Sequence, residues 1–160
     1  MTDEELLRRG REALKLQRYV QAGDLLSEYC ERLTKQEAPV PAGVLANYAL
    51  ALGHTRRLKE GIDVCLKALS YDPRNPHVYL NLAQLYLLAD SKKKAIDAID
   101  RGLRISPDHR WLLQLREELG VRKAPPLPFL PRSSAVNATL GKVIRKPKPR
   151  PRRIGVSDED

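Results

Sequence analysis

A pattern that returns after 34 positions constrains this chain more than any other feature. Asp72-Pro73 recurs as Ser106-Pro107, a spacing of 34 residues. The residues before each proline superimpose without a gap. Leu45, Asn47, Ala49, Leu52, Gly61, Ile62, Ala68 and Leu69 are followed at the same offset by Tyr79, Asn81, Ala83, Tyr86, Ala95, Ile96, Gly102 and Leu103. A fixed period of this length is the signature of a helical repeat array, in which no unit buries its apolar face alone and neighbours must stack. Arrays of this kind present surfaces rather than catalytic centres, so the period points to a binder.

The stretch from Pro76 to Pro107 shows how one unit is built. Asn75 is an N-cap with Pro76 at the first helical position, where a missing N–H costs nothing. Tyr79, Leu82, Ala83 and Tyr86 follow at helical spacing. The chain breaks near Ala89-Asp90-Ser91, where Ser91 can cap a second helix carrying Ile96, Ile99 and Leu103 on one face. Two short antiparallel helices form an αα-hairpin. Small residues recur at matching offsets: Ala49, Gly61 and Ala68 in one unit, Ala83, Ala95 and Gly102 in the next. They allow close approach of helix axes. Glycine in a helix interior costs about 1 kcal/mol against alanine, so Gly61 and Gly102 imply close packing.

These residues resemble the tetratricopeptide repeat. The resemblance implies an all-α fold, a right-handed α-α solenoid of helical hairpins with a capping helix and an extended basic C-terminal tail. Three repeats are read at about 3–36, 42–75 and 76–109, within a domain spanning 1–121. The first is degenerate. Gly10 and Ala22 keep the spacing and Gln17-Arg18-Tyr19 resembles the inter-helix turn, but Tyr29 stands where a small residue is expected and Thr34–Pro41 lengthens the connection. The capping helix is placed at 108–119, with Trp111, Leu112, Leu115 and Leu119 on its apolar face and Gly120 as its stop.

Charge separates the body from the tail. Residues 1–121 carry 19 Lys+Arg against 17 Asp+Glu, whereas 122–160 carry 10 against 3. Seven of the twelve prolines lie in 122–160, read as a Pro-rich basic tail. Within it lie Lys142, Arg145, Lys146, Lys148, Arg150, Arg152 and Arg153, and the cations from Lys146 to Arg152 alternate with proline, which favours polyproline II geometry and excludes helix and sheet. These cations are an electrostatic contact for RNA, the ribosome or another polyanion, without an aromatic among them to stack on bases. Phe129 and Leu130 are apolar anchors able to pack back on the solenoid, each burying about 1.5–3 kcal/mol.

The same resemblance implies a concave groove lined by the first helix of each repeat. Asn47 and Asn81 occupy equivalent positions 34 residues apart, and an amide can both donate to and accept from a peptide backbone. The neighbouring groove positions are Arg8, Arg11 and Lys15, then Leu50 and His54, then His77, Leu80 and Gln84, with Leu88 beyond them. Subfamilies that clamp acidic C-termini of chaperones need cations where this chain has Leu7, Asn81 and His77, which argues against that ligand.

The favoured function is therefore a non-catalytic adaptor or chaperone-like module that binds an extended or helical segment of another protein, with the tail as a second contact. The alternatives are a ribosome- or nucleic-acid-associated factor acting through the tail, and a secretion-type chaperone. No enzyme activity, cofactor, metal or small-molecule substrate is expected: His54, His77 and His109 show no ligand spacing, and no phosphate-cradling glycine loop is present. His109 reads as an exposed first-turn residue. Cys30 and Cys65 read as reduced core thiols, which with the absence of a secretory or membrane-spanning pattern suggests a cytoplasmic protein.

Overall fold

The computed structural model describes residues 1–120. The expected tail contacts Lys142, Arg145, Lys146, Lys148, Arg150, Arg152 and Arg153, and the anchors Phe129 and Leu130, lie outside the described residues.

Seven helices make up the described chain: α1 (Asp3–Lys15), α2 (Tyr19–Lys35), α3 (Ala42–His54), α4 (Leu58–Tyr71), α5 (Pro76–Leu88), α6 (Lys92–Ile105) and α7 (Arg110–Glu118). They pack as the antiparallel pairs α1–α2, α3–α4 and α5–α6, with α7 against α6. Neighbouring pairs stack through α2–α3, α3–α5 and α4–α5. The fold is the all-helical solenoid that the period implies.

Local sequence explains where α1 and α5 begin. Thr2 accepts a hydrogen bond on Oγ1 from the Glu5 N–H at 3.2 Å, and Asp3, Glu4 and Glu5 place negative charge in the first turn. Asn75 caps α5 through the His77 N–H at 3.1 Å, with Pro76 at the first position as its chemistry predicts. Ser91 does not cap α6: its hydroxyl donates to the Ala89 carbonyl at 3.4 Å. The turn into α6 is instead fixed from the end of α5, where the Ser91 N–H reaches the Tyr86 carbonyl and the Asp90 N–H reaches Leu87. This six-to-one and five-to-two pairing recurs around Gln17 and Glu37, and the six-to-one bond alone around Arg56, each with positive φ like Asp90.

The core divides at α3. Ala13, Leu14, Ala22, Leu26, Val44 and Ala51 form one cluster, which joins α1 and α2 to one side of α3. Ala46, Ala49, Leu50, Cys65, Ala68, Val78, Leu80 and further residues through Leu115 form the other. Because α3 is buried on two sides, its sequence is apolar almost all round. The small residues do what their positions require. A Cβ on Gly61 would stand 2.6 Å from the Ala49 carbonyl oxygen, and one on Gly102 would stand 2.6 Å from Leu112 Cδ1. Only glycine lets α4 lie this close to α3, where the obstacle is backbone, whereas at Gly102 the obstacle is the movable end of a side chain.

Cys65 is fully buried and donates to the Val78 carbonyl at 3.6 Å. Burial pushes its thiol up to about 12. Cys30 is free but only half-buried, so it is less a core thiol than the sequence suggested, with its thiol pushed up to about 11 by desolvation and the nearby Glu31. Tyr29, in the place of a small residue, packs against the N-terminal cluster and is held above the usual tyrosine range by desolvation and by Asp3.

Candidate functional site

The first helices of the pairs lie side by side in register, and two hydrogen-bonding residues show it. Asn81 Nδ2 on α5 donates to Asn47 Oδ1 on α3 at 3.0 Å, so residues 34 positions apart in sequence meet in space. Both amides are nearly buried, Asn47 at 8% and Asn81 at 7% exposure. The amides are thus not an open ladder. They are a bonded pair tying two repeats together. Among the described residues this is the side-chain bond they make, and no buried polar atom lacks a partner. The Asn47 Nδ2 and Asn81 Oδ1 atoms therefore reach solvent with hydrogen-bonding capacity remaining.

Leu50 and Leu80 are corrections. Expected to line the groove, they are 4% and 2% exposed and belong to the larger core cluster. The cause is the double-sided burial of α3 and α5, which leaves their leucines packed between repeats. Gln84 on α5 is half-buried.

On α1, Arg8, Arg11 and Lys15 do share one face, together with Glu4, Leu7 and Glu12. This face is therefore of mixed charge. Arg8 approaches Glu12 at 3.7 Å, with both side chains largely in solvent, so the pair contributes little to stability.

The histidines occupy opposite rims. His54, the last residue of α3, stacks flat on Tyr19 with ring centroids 3.8 Å apart and an interplanar angle of 5°. Desolvation there holds it below the usual histidine value. His77, the second residue of α5, meets His109 edge to face at 4.9 Å. His109 is not the exposed residue expected: it is 9% exposed and caps α7, its Nδ1 accepting from the Leu112 N–H at 3.3 Å. A short polar residue in that place would have announced a cap; an imidazole does not. Tyr19 is the contact the sequence reading missed, since only a register between turn and helix end brings it to His54.

Among the described residues no group of three or more metal-ligating side chains converges, and no helix is long and apolar enough to cross a membrane. The arrangement offers hydrogen bonding, charge and apolar contact.

Comparison with known proteins gives the same architecture. Residues 49–119 match the family model described as tetratricopeptide repeat. The match begins inside α3 and omits the first pair, where the pattern is most degenerate. A curated relative, tetratricopeptide repeat protein 36 of Caenorhabditis elegans, is 37% identical over 62 residues. That segment is 39% of this chain and spans about a third of the relative, 35% of its length. Two solved structures share the fold at low identity. The OM64 TPR domain of Arabidopsis superimposes with a TM-score of 0.60 at 19% identity, covering 73% of this chain and 93% of that one. The Sgt2 TPR domain of Aspergillus fumigatus gives 0.61 at 17% identity, covering 99% and 90%.

Proposed function

We propose that this chain, a member of the tetratricopeptide repeat family, is a non-catalytic protein–protein adaptor that holds a segment of a partner along the faces of α1, α3 and α5. The observation that carries this reading is the Asn47–Asn81 pair. One amide nitrogen and one amide oxygen remain open at the junction of two repeats, where a peptide backbone presents a carbonyl and an N–H. Arg8, Arg11 and Lys15 on α1, His54 on α3, and His77 and Gln84 on α5 would add charge and hydrogen bonding along the same helices. A backbone-directed contact of this kind accepts an extended segment with little regard for its side chains.

Capture from native lysate tests it. Tagged full-length protein and the folded Asn47→Ala/Asn81→Ala variant are compared at low and high salt, and bound proteins are quantified. The double variant is expected to lose its partners at both salts. If it retains the same proteins in the same amounts, the groove assignment fails.

The charge of residues 122–160, with 10 Lys+Arg against 3 Asp+Glu, favours a second reading in which RNA or the ribosome binds through the tail. Removal of the bound material by nuclease, or by deleting residues 142–160, would identify that case.

A further inference from the structure

The edge of the solenoid built from the inter-helix turns is charged out of proportion to the rest. Residues 15–18, 54–60 and 89–94 hold eight lysines and arginines against Glu60 and Asp90, a net +6. Residues 1–120 as a whole hold 19 against 17, a net +2, so the remainder of the helical body is −4. The three turns are neighbours in space. The Tyr19 ring of the first stacks on His54 at the second, and a Cβ on Gly53, one residue earlier, would lie 3.5 Å from Leu88 Cδ1 at the third.

Two properties of this edge are left over from the fold. Arg18, Arg56, Lys59, Lys92 and Lys93 are exposed, and none forms an ion pair among the described residues, whereas Arg57 is held by Glu60 at 2.6 Å. Arg18, Lys59, Lys92 and Lys93 stand at helix starts, where the dipole disfavours positive charge, so the helices themselves do not call for it. Beside them stand three large apolar side chains in solvent: Leu16 at 54%, Val20 at 67% and Leu88 at 43% exposure.

We propose that the turn edge is a second docking surface, for an acidic protein segment that carries apolar side chains between its carboxylates. Charge complementarity selects the sign of the partner, and the aliphatic side chains select its class. A nucleic-acid strand would seek open aromatic faces, but Tyr19 and His54 are stacked on each other and the remaining apolar groups are aliphatic. An acidic segment interrupted by leucine or valine engages both features at once.

The test uses the full chain and a fluorescein-labelled peptide of repeated Glu-Glu-Leu triplets, followed by fluorescence anisotropy. Replacing four cations together (Arg18→Ser, Arg56→Ser, Lys92→Ser and Lys93→Ser) should raise Kd about tenfold or more, the sum of several modest surface pairings. Leu16→Ser with Val20→Ser should raise it about threefold or more through lost apolar burial. Loss of binding with Asn47→Ala and Asn81→Ala but not with the edge substitutions would place the peptide in the groove and overturn the proposal. The basic tail is common to every variant, so the differences report the edge. The proposal is overturned if wild-type protein does not bind the peptide or if the quadruple variant binds as wild type does. It is equally overturned if single-stranded RNA of equal charge binds more tightly than the peptide and ignores the Leu16 and Val20 changes.

Discussion

Adding one methyl group at Gly61 tests the packing that sets the width of the groove. A Cβ there would stand 2.6 Å from the Ala49 carbonyl oxygen and 3.0 Å from the Gly53 nitrogen, against 3.4 Å where ordinary contact begins. Both obstacles are backbone atoms of α3, so no side-chain rotation relieves them. Either α4 moves away from α3 by most of an ångström or both helices bend. Overpacking of this kind costs about 1–3 kcal/mol, and rigid backbone places Gly61 towards the upper end. Alanine's better helix propensity returns about 1 kcal/mol. The net loss is then about 1–2 kcal/mol. Gly43→Ala is the control, because the same methyl group on α3 meets nothing within 4 Å and should gain about 0.5–1 kcal/mol. Urea unfolding followed by far-UV circular dichroism reads both, with a shift of roughly 0.5–1 M in midpoint for Gly61→Ala. Gly102→Ala should fall between them, since its nearest obstacle is the movable end of Leu112. A Gly61→Ala protein that unfolds at or above the wild-type midpoint would refute the close-approach argument.

Individual contacts set further outcomes. A double-mutant cycle on Asn47→Ala and Asn81→Ala should show a coupling of about 0.5–1.5 kcal/mol in unfolding free energy, and a cycle that closes to zero would mean the 3.0 Å bond is not formed in solution. Gln17→Gly should stabilise by about 0.5–1 kcal/mol in the same urea assay, because Gln17 sits at φ 58° where glycine is unstrained; Asp90→Gly should gain less, as aspartate tolerates that region better. Cys30 should react with a thiol reagent well before the fully buried Cys65. The Cys65 thiol titrates near 9 unfolded and about 12 folded, so above pH 9 the unfolded chain loses its proton first. Its contribution to stability is complete below pH 9 and declines towards pH 12, and a Cys65→Ala protein should show a shallower fall over that window.

The repeat made most of the fold legible, because translation by 34 residues leaves the same side chains facing the same neighbours. Gly61 and Gly102 could be read as close approaches from sequence alone, since nothing else justifies glycine inside a helix. The turns could not. Gln17, Glu37, Arg56 and Asp90 take the left-handed conformation that glycine usually signals, held there by backbone pairing to the preceding helix. Ser91 misled for a related reason: the cap it advertises is displaced by the carbonyl of Ala89. Leu50 and Leu80 were misassigned because a leucine on a helix buried on two sides obeys the same spacing whether it faces groove or core. Asn47 and Asn81 were correctly brought to one place, but a period reports equivalence and not distance. That the two amides bind each other is a property of how closely α3 and α5 approach.

The groove and the turn edge follow from one geometry yet obey different physics, and salt should separate them. Every first helix ends at the turn edge, so a translation that aligns Asn47 with Asn81 also aligns Arg56 with Asp90, and His54 with Leu88. Groove contacts made by nearly buried amides are short-range and lose little to ionic screening. The cations of the turn edge are exposed, and at physiological ionic strength a Debye length of about 8 Å confines their influence to a partner already in contact. A segment held by amides alone should therefore keep its affinity as salt rises, while one held at the turns should lose it progressively. A partner that engages both would show an intermediate slope and an affinity above either site alone, because the second contact becomes intramolecular once the first has formed. Asn47→Ala with Asn81→Ala should steepen that slope and the four turn substitutions should flatten it. Identical slopes in both variants would mean that a single surface carries the binding.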